Sequence, residues 1–389
     1  MVQWSRLGEV SKLSLKLGFT AFGGPIAIVA MMHDEFVARR EWLSEQEFLD
    51  FFGATNLLPG SNSMEMASHI GYHRAGWLGL WVGGICFTAP SIFLMVLFCW
   101  VYVHYGASPQ GEWLLYGVKP VAIALIAQAL WQLGKGAIKG KFAIVLAFLN
   151  IGLSIVGLHE LALLLASGIF SFIVKQGKQL LKPDKALAIA PLPFLAPLSG
   201  FSFGLGSIGS FSLSWLFLMF FKVGTILYGS GYVLLAFLRG DFVERLGWLT
   251  DQQLLDAIAI GQITPGPLST TATFIGFLLG GFPGAGIATL GMFLPGFILI
   301  SVLHPILPKL NQSEWFRAFL DGVNIGALSL MAVVTAQLAQ SSLVDPLTIT
   351  VAIASLFLLV KFKVNSVWLV LGGMVIGLGA SFMPGVVIG

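Results

Sequence analysis

Apolar runs of about 20 residues, the length a helix needs to cross a hydrocarbon layer, recur from residue 14 to residue 386 with short polar breaks between them. In the first half they predict a helix over about 14–32, an interrupted apolar segment over about 46–72, and spans near 78–103, 113–133, 141–157 and 159–174. The second half reads the same way, with a helix over about 214–238, an interrupted segment over about 251–280, and spans near 284–303, 315–340, 346–360 and 364–386. Each interruption is a Pro-Gly pair, in "NLLPGS" at 56–61 and in "QITPGP" at 262–267. Proline lacks the backbone donor that a helix interior uses and glycine lets the chain turn, so one helical piece ends there and another begins. The pattern predicts an all-α polytopic membrane protein with about five transmembrane helices per half, plus a broken or re-entrant helical hairpin in each.

The two halves are copies. Shifting the chain by 206 residues matches Lys16 with Lys222, Gly18 with Gly224, Gly23 with Gly229, Trp42-Leu43 with Trp248-Leu249, Asp50 with Asp256 and Pro59-Gly60 with Pro265-Gly266. A shift of 205 continues the match through Gly71, Gly76, Gly79 and Pro90, which meet Gly276, Gly281, Gly284 and Pro295. Between the copies lies "KQGKQLLKPDKALAIAPLPFLAPLSG", a basic, proline-rich stretch. The expected organisation is a first repeat over 1–174, a cytoplasmic linker over 175–211 and a second repeat over 212–389.

Composition narrows the class. Of the 389 residues, 57% are hydrophobic and 10% charged, and the mean hydropathy is +0.89, whereas an ordinary soluble domain carries about 25% charged residues. No stretch remains for a soluble catalytic domain. The N-terminal residues lack a small-residue cleavage site after a short apolar core, so the first helix is read as retained. Cys86 and Cys99 share one apolar stretch without metal-ligand spacing, which argues against a disulfide framework or a zinc site. The net charge is only +3, but its distribution sets orientation, because short cytoplasmic loops are rich in Lys and Arg. If each interrupted segment turns back, the second repeat is inverted relative to the first. Arg39, Arg40, Arg74, Lys135, Lys139, Lys141, Lys175, Lys309, Lys361 and Lys363 then fall on the linker's side, and Arg6, Lys12, Arg239 and Arg245 on the other.

Candidate chemistry sits at the breaks. Lys16, Lys119 and Lys222 lie within apolar segments, where a cation is expensive and usually faces a cavity or a partner. Lys16 either does so or snorkels to the interface. Lys119 has a neutral counterpart, Asn324, and is the weaker candidate. After the Pro-Gly pairs come Ser61, Asn62 and Ser63 in the first repeat and Ser269 and Thr270 in the second. Such residues favour helix N-caps, and the free N–H groups and positive dipole end there attract anions. Inverted halves would bring the two ends, with Gly60 and Gly266, together from opposite sides around a doubly charged oxyanion, with Lys16 and Lys222 beside it. Gly23 and Gly24 allow close backbone approach, or merely close helix packing. Asn56 and Gln262, three residues before each proline, either donate to the anion or satisfy carbonyls freed by the break. Glu65 and His69, one turn apart, lack ionisable counterparts, which suits a proton-coupling group; both could equally face the cytoplasmic surface beside Arg74. Asp50 and Asp256 suit an entrance. No acidic metal cluster, Ser-His-Asp set or paired catalytic carboxylates flank the breaks, so neither an enzyme nor a cofactor is expected, and nothing points to nucleic acid.

"FTAFGGPIAIVAMMHDEF" at 19–36, "EWLSEQEFLD" at 41–50, the "LPG" break, "GYHRAGWLGLWVGG" at 71–84 and "TPGP" at 264–267 together resemble the chromate ion transporter family in its long-chain, two-domain form. The resemblance runs through both halves. It implies inner-membrane transport of chromate, as efflux that confers resistance, with coupling to protons and with sulfate as a similar substrate. One departure stands out: the family tends to carry proline after "LPG", where this chain has Ser61, while Pro267 keeps the pattern. Sulfate or other oxyanion uptake, an anion channel and an intramembrane lipid-phosphate enzyme are the alternatives. A homodimer is compatible with the small-residue faces.

Overall fold

The computed structural model describes residues 4–22, 24–106, 108–180, 211–228, 231–303 and 313–382, and among them the regular structure is helical. The first repeat holds α1 (Trp4–Thr20), α2 (Gly24–His33, continued by a π-helical turn, Asp34–Arg39), α3 (Glu45–Thr55), α4 (Asn62–Tyr105), α5 (Pro109–Ala137), α6 (Gly140–Ile155) and α7 (Glu160–Leu180). The second holds α8 (Leu213–Ile226), α9 (Leu234–Leu238, between the turns Gly231–Val233 and Arg239–Arg245) and α10 (Asp251–Ile263). It continues with α11 (Thr271–Leu303, after the 3-10 turn Leu268–Thr270), α12 (Glu314–Ser342), α13 (Pro346–Phe357, continued by Leu358–Phe362) and α14 (Ser366–Ala380).

α4 and α11 are hairpins in disguise. Ala75 (φ −137°) and Gly76 (φ +65°) leave helical geometry in α4, and Gly280 (φ −143°) and Gly281 (φ +60°) do the same at the equivalent place in α11. Only glycine takes a positive φ of this kind without a Cβ clash. The arms then lie so close that a Cβ on Gly71 would strike the Gly79 carbonyl and one on Gly276 the Gly284 carbonyl. The short arms, 62–74 and 271–279, return from the Pro-Gly breaks; the long arms, 76–105 and 281–303, cross the bundle.

Polar contacts fix which end each element occupies. Arg74, at the α4 bend, bonds Glu9 of α1 (Nη2–Oε2 2.7 Å) and lies over the Trp42 ring at 4.7 Å, while His33 meets Glu45 at 2.7 Å. The start of α1, the loop after α2 and the start of α3 therefore share one end with the α4 bend. In the second repeat Phe211 stacks edge-on against Trp248 at 5.2 Å, and Gly280 lies against Phe211. That cluster sits at the other end, because Tyr102, at the far end of the α4 long arm, donates to Asp256 of α10 at 2.9 Å, whereas Trp81, near the α4 bend, stacks on Phe297 of α11 at 4.8 Å. The long arms run antiparallel. The repeats are inverted.

The fold class stands, with one change of inventory. The run at 14–32 is not a crossing helix: it breaks after Thr20 and returns, bringing Lys16 against Glu35, so among the described residues each repeat opens with two hairpins, one broken after α1 or α8 and one at the Pro-Gly pair. Arg6 and Lys12 consequently join Arg39, Arg40 and Arg74 at one basic end, and the external placement expected for them is corrected. Among the described residues four helices are long and apolar enough to span a bilayer by length and composition, 62–105, 109–137, 268–303 and 314–342. α7 runs on to Leu180, beyond the boundary expected at 174; most of the linker lies outside the described residues. Repeat mates Gly117 and Gly322 make the tightest crossings, α5 on α14 at Gly373 and α12 on α7 at Ser167, so each repeat packs into the other.

Candidate functional site

At the middle of the bundle each Pro-Gly tip is completed by the opposite repeat. The Gly60 N–H donates to the Leu227 carbonyl at 2.8 Å, and the Gly266 N–H donates to the Ala21 carbonyl at 2.8 Å. Ala21 and Leu227 are themselves repeat mates, the residues at which α1 and α8 run out. Both glycines have positive φ, +140° and +98°. A broken helix inside an apolar layer must find partners for its freed backbone groups, and here the broken ends supply one another.

Around this crossing lies a band of buried polar side chains in an otherwise apolar interior: Ser61, Ser63, Glu65, Ser68 and His69 on the first repeat, and Thr264, Ser269, Thr270, Thr271 and Thr273 on the second. Ser61 is the N-cap of α4 but makes no side-chain cap, so the N–H groups of that helix end point onward without its help. Ser91 of the α4 long arm bridges to the second tip, its Oγ 2.7 Å from Thr270 Oγ1. Glu65 is fully buried, and neither of its oxygens has a hydrogen-bond partner among the described residues. His69 stacks on Phe51 at 5.6 Å.

The other predicted residues divide. Asn56 and Asn62 are bound to each other (Asn62 Nδ2 to Asn56 Oδ1, 2.7 Å) away from the buried band. Gln262 accepts from the Tyr232 hydroxyl at 3.4 Å and leaves Nε2 buried without a partner among the described residues. Gly24 opens α2; Gly23 lies outside the described residues.

Both lysines have carboxylate partners. Lys16 is not a free ammonium facing a cavity: it donates to Glu35 at 2.9 Å, and Arg40 binds the same carboxylate at 2.9 Å. Lys222 donates to both oxygens of Asp241 at 2.9 Å, with Arg245 at 2.8 Å. Glu35 and Asp241 are repeat mates and are buried, so each lysine stitches the two arms of its own first hairpin and is already neutralised. A dianion approaching either lysine would meet the carboxylate that already accepts from it. Sequence reasoning missed these acids, although an acid nineteen residues after each lysine was a signal available in both copies.

At the end opposite the basic one, a cavity of about 450 Å³ opens between the repeats, lined among others by Tyr102, Glu112, Tyr116, Lys119, Gln252 and Asp256. Lys119 donates to Gln252 and lies 3.4 Å from the buried Asp256. Asp50, its mate, is exposed and bonded to Gln46 at 3.0 Å. Among the described residues no group of His, Cys, Asp and Glu is placed to hold a metal ion.

A sequence model described as "Chromate transporter" matches residues 8–172 and again 214–378. A probable chromate transport protein of Synechococcus elongatus is 32% identical over 90% of this chain and 89% of its own length. The chromate transport protein of Cupriavidus metallidurans is 31% identical over 94% and 91%, and that of Pseudomonas aeruginosa 31% over 84% and 79%. No solved structure matches.

Proposed function

Because the chain belongs to the chromate transporter family, we propose that it is a secondary transporter that exports chromate across the inner membrane, holding the anion where the two Pro-Gly tips cross. The supporting observation is the reciprocal pair of bonds from Gly60 to Leu227 and from Gly266 to Ala21. It brings two helix ends of inverted repeats to one buried polar band, and helix N-termini are suited to divalent oxyanions. Ser61, Ser63, Ser269, Thr270 and Gln262 supply the nearby polar groups, and Glu65 with His69 supplies proton coupling. Lys16 and Lys222 serve the hairpins instead of the anion.

Transport at such a site needs the two tips to be released alternately to the two faces. The test is chromate uptake into everted membrane vesicles under an imposed pH gradient, with sulfate as competitor. Accumulation of chromate against its concentration gradient, driven by a pH gradient imposed in one direction and not in the other, supports the assignment. Uptake that only equilibrates and ignores the pH gradient indicates a channel, and uptake of sulfate with chromate excluded indicates the other oxyanion.

A further inference from the structure

The two tips make reciprocal backbone bonds but differ in chemistry. With the 205-residue shift Glu65 corresponds to Thr270, with the 206-residue shift to Thr271, and Ser91 corresponds to Gly296. In the second tip Thr270 meets the Ser91 hydroxyl at 2.7 Å. In the first, the longer Glu65 stands in place of the threonine and Gly296 in place of the serine: a Cβ on Gly296 would lie 3.3 Å from Glu65 Oε1, and one on Gly60 would overlap that oxygen. The exchange is complementary in volume, with one side chain enlarged and the facing one removed.

What remains unpartnered differs in kind. At the first tip the buried polar atoms without a partner among the described residues are the two Glu65 oxygens, which accept. At the second they are Gln262 Nε2 and Thr271 Oγ1, which can donate. Thr271 is fully buried and lies against Gly261, one residue before Gln262, so both groups flank the same break. Buried polar groups ordinarily find partners, and an unpaired set in a transport pathway points to a ligand that comes and goes. Donors suit an oxyanion and an unpaired carboxylate suits a proton.

Resting on the transport assignment above, we propose that the second tip alone takes the oxyanion, through Thr271 and Gln262, while the first tip takes the proton on Glu65. The coupling step is the addition of one proton to the Glu65 carboxylate to give the neutral acid, with no other bond made or broken. While Glu65 is ionised it repels a dianion at the neighbouring tip; once protonated it does not. From its own helix His69 is one turn away, and from the second repeat the Tyr228 phenol is near enough to feel its charge. The Lys16 and Lys222 pairs are closed on their own acids.

Calorimetric titration of the purified full chain with potassium chromate, at several pH values and in buffers of different ionisation enthalpy, tests the division. The native chain should bind one chromate and take up a proton as it does so. Thr271→Val should weaken binding by about tenfold at every pH, the value of one lost hydrogen bond to a charged ligand. It should also raise the unfolding temperature, since a buried unpaired hydroxyl is gone; a purely structural threonine would not cost affinity. Thr271→Ser should restore binding. Glu65→Gln should tighten binding at alkaline pH and abolish the proton uptake. Unchanged affinity in a folded Thr271→Val, or proton uptake that survives in Glu65→Gln, overturns the division while leaving transport standing. Failure of the native chain to bind either chromate or sulfate overturns both.

Discussion

Lys222→Met discriminates between a lysine that binds the anion and one that braces a hairpin. Asp241 is 4% exposed and accepts two bonds from Lys222, itself 16% exposed, both at 2.9 Å. Removing one partner of a buried ion pair typically costs about 3–5 kcal/mol, because the remaining charge is left without compensation. Arg245 still reaches Asp241 at 2.8 Å, but it is one-third exposed and shared with Glu160, so solvent screens it. The low end of the range, about 3 kcal/mol, is the expected loss. At roughly 2–4 °C per kcal/mol in a large chain, the unfolding temperature in detergent should fall by about 6–12 °C. The double variant Lys222→Met/Asp241→Leu removes both charges at similar volume, an exchange that is often neutral. It should recover most of the loss and, with it, chromate uptake into everted vesicles. Tryptophan fluorescence during heating gives the first quantity and the vesicle assay the second. A double variant that is folded and stable yet transports nothing would refute the bracing role and return Lys222 to the anion site.

Three further outcomes follow from the geometry. Gly266→Ala should destabilise by about 1–3 kcal/mol, since φ is +98° and the new Cβ would lie 3.0 Å from that of Ser91; Gly76→Ala, also at positive φ but in open space, should cost less, and thermal unfolding of the two side by side decides. Gly117→Val should prevent accumulation of folded protein, because its Cβ would collide with the Gly373 carbonyl where α5 crosses α14; a normal size-exclusion profile would contradict that packing. Partial desolvation of the half-exposed His159 imidazole, with the Arg245 guanidinium beside it, holds it below its ordinary value of 6.5. The folded chain therefore releases that proton more readily than the unfolded chain, so stability should drop as pH falls below 6.5, and His159→Gln should remove that part of the slope in unfolding scans.

Much of the fold was legible because it was written twice. Two Pro-Gly breaks in register, glycines at 76 and 281 in register and a run of matched landmarks identify the repeat and its hinges without any knowledge of contacts. The buried hydroxyls after each break were legible too, since a helix start inside an apolar layer needs polar neighbours. Hidden from the sequence was direction. Hydropathy reports that residues 14–32 reside in an apolar medium; it does not say whether the chain passes through or turns back. At the reversal after Thr20 the Gly266 N–H of the other repeat donates to the Ala21 carbonyl.

That single hidden reversal accounts for both misplacements. Read as a crossing, the first helix sends Arg6 and Lys12 to the wrong end and leaves Lys16 and Lys222 stranded in lipid, where a bound dianion is the obvious partner. Read as a hairpin, it returns the start of α1 to Arg74 through Glu9 and folds the polar stretch after α2 back onto the lysine. The Lys-to-acid spacing of nineteen residues then becomes the length of a hairpin's two facing arms, recurring at 222 and 241. A buried cation in a membrane segment implies a counter-charge, and an inverted repeat doubles the places to look for it: an acid kept at the same distance in both copies is the first candidate, before any ligand. The proposed anion and proton sites fall instead on the two tips, where Glu65 of one copy meets threonine in the other.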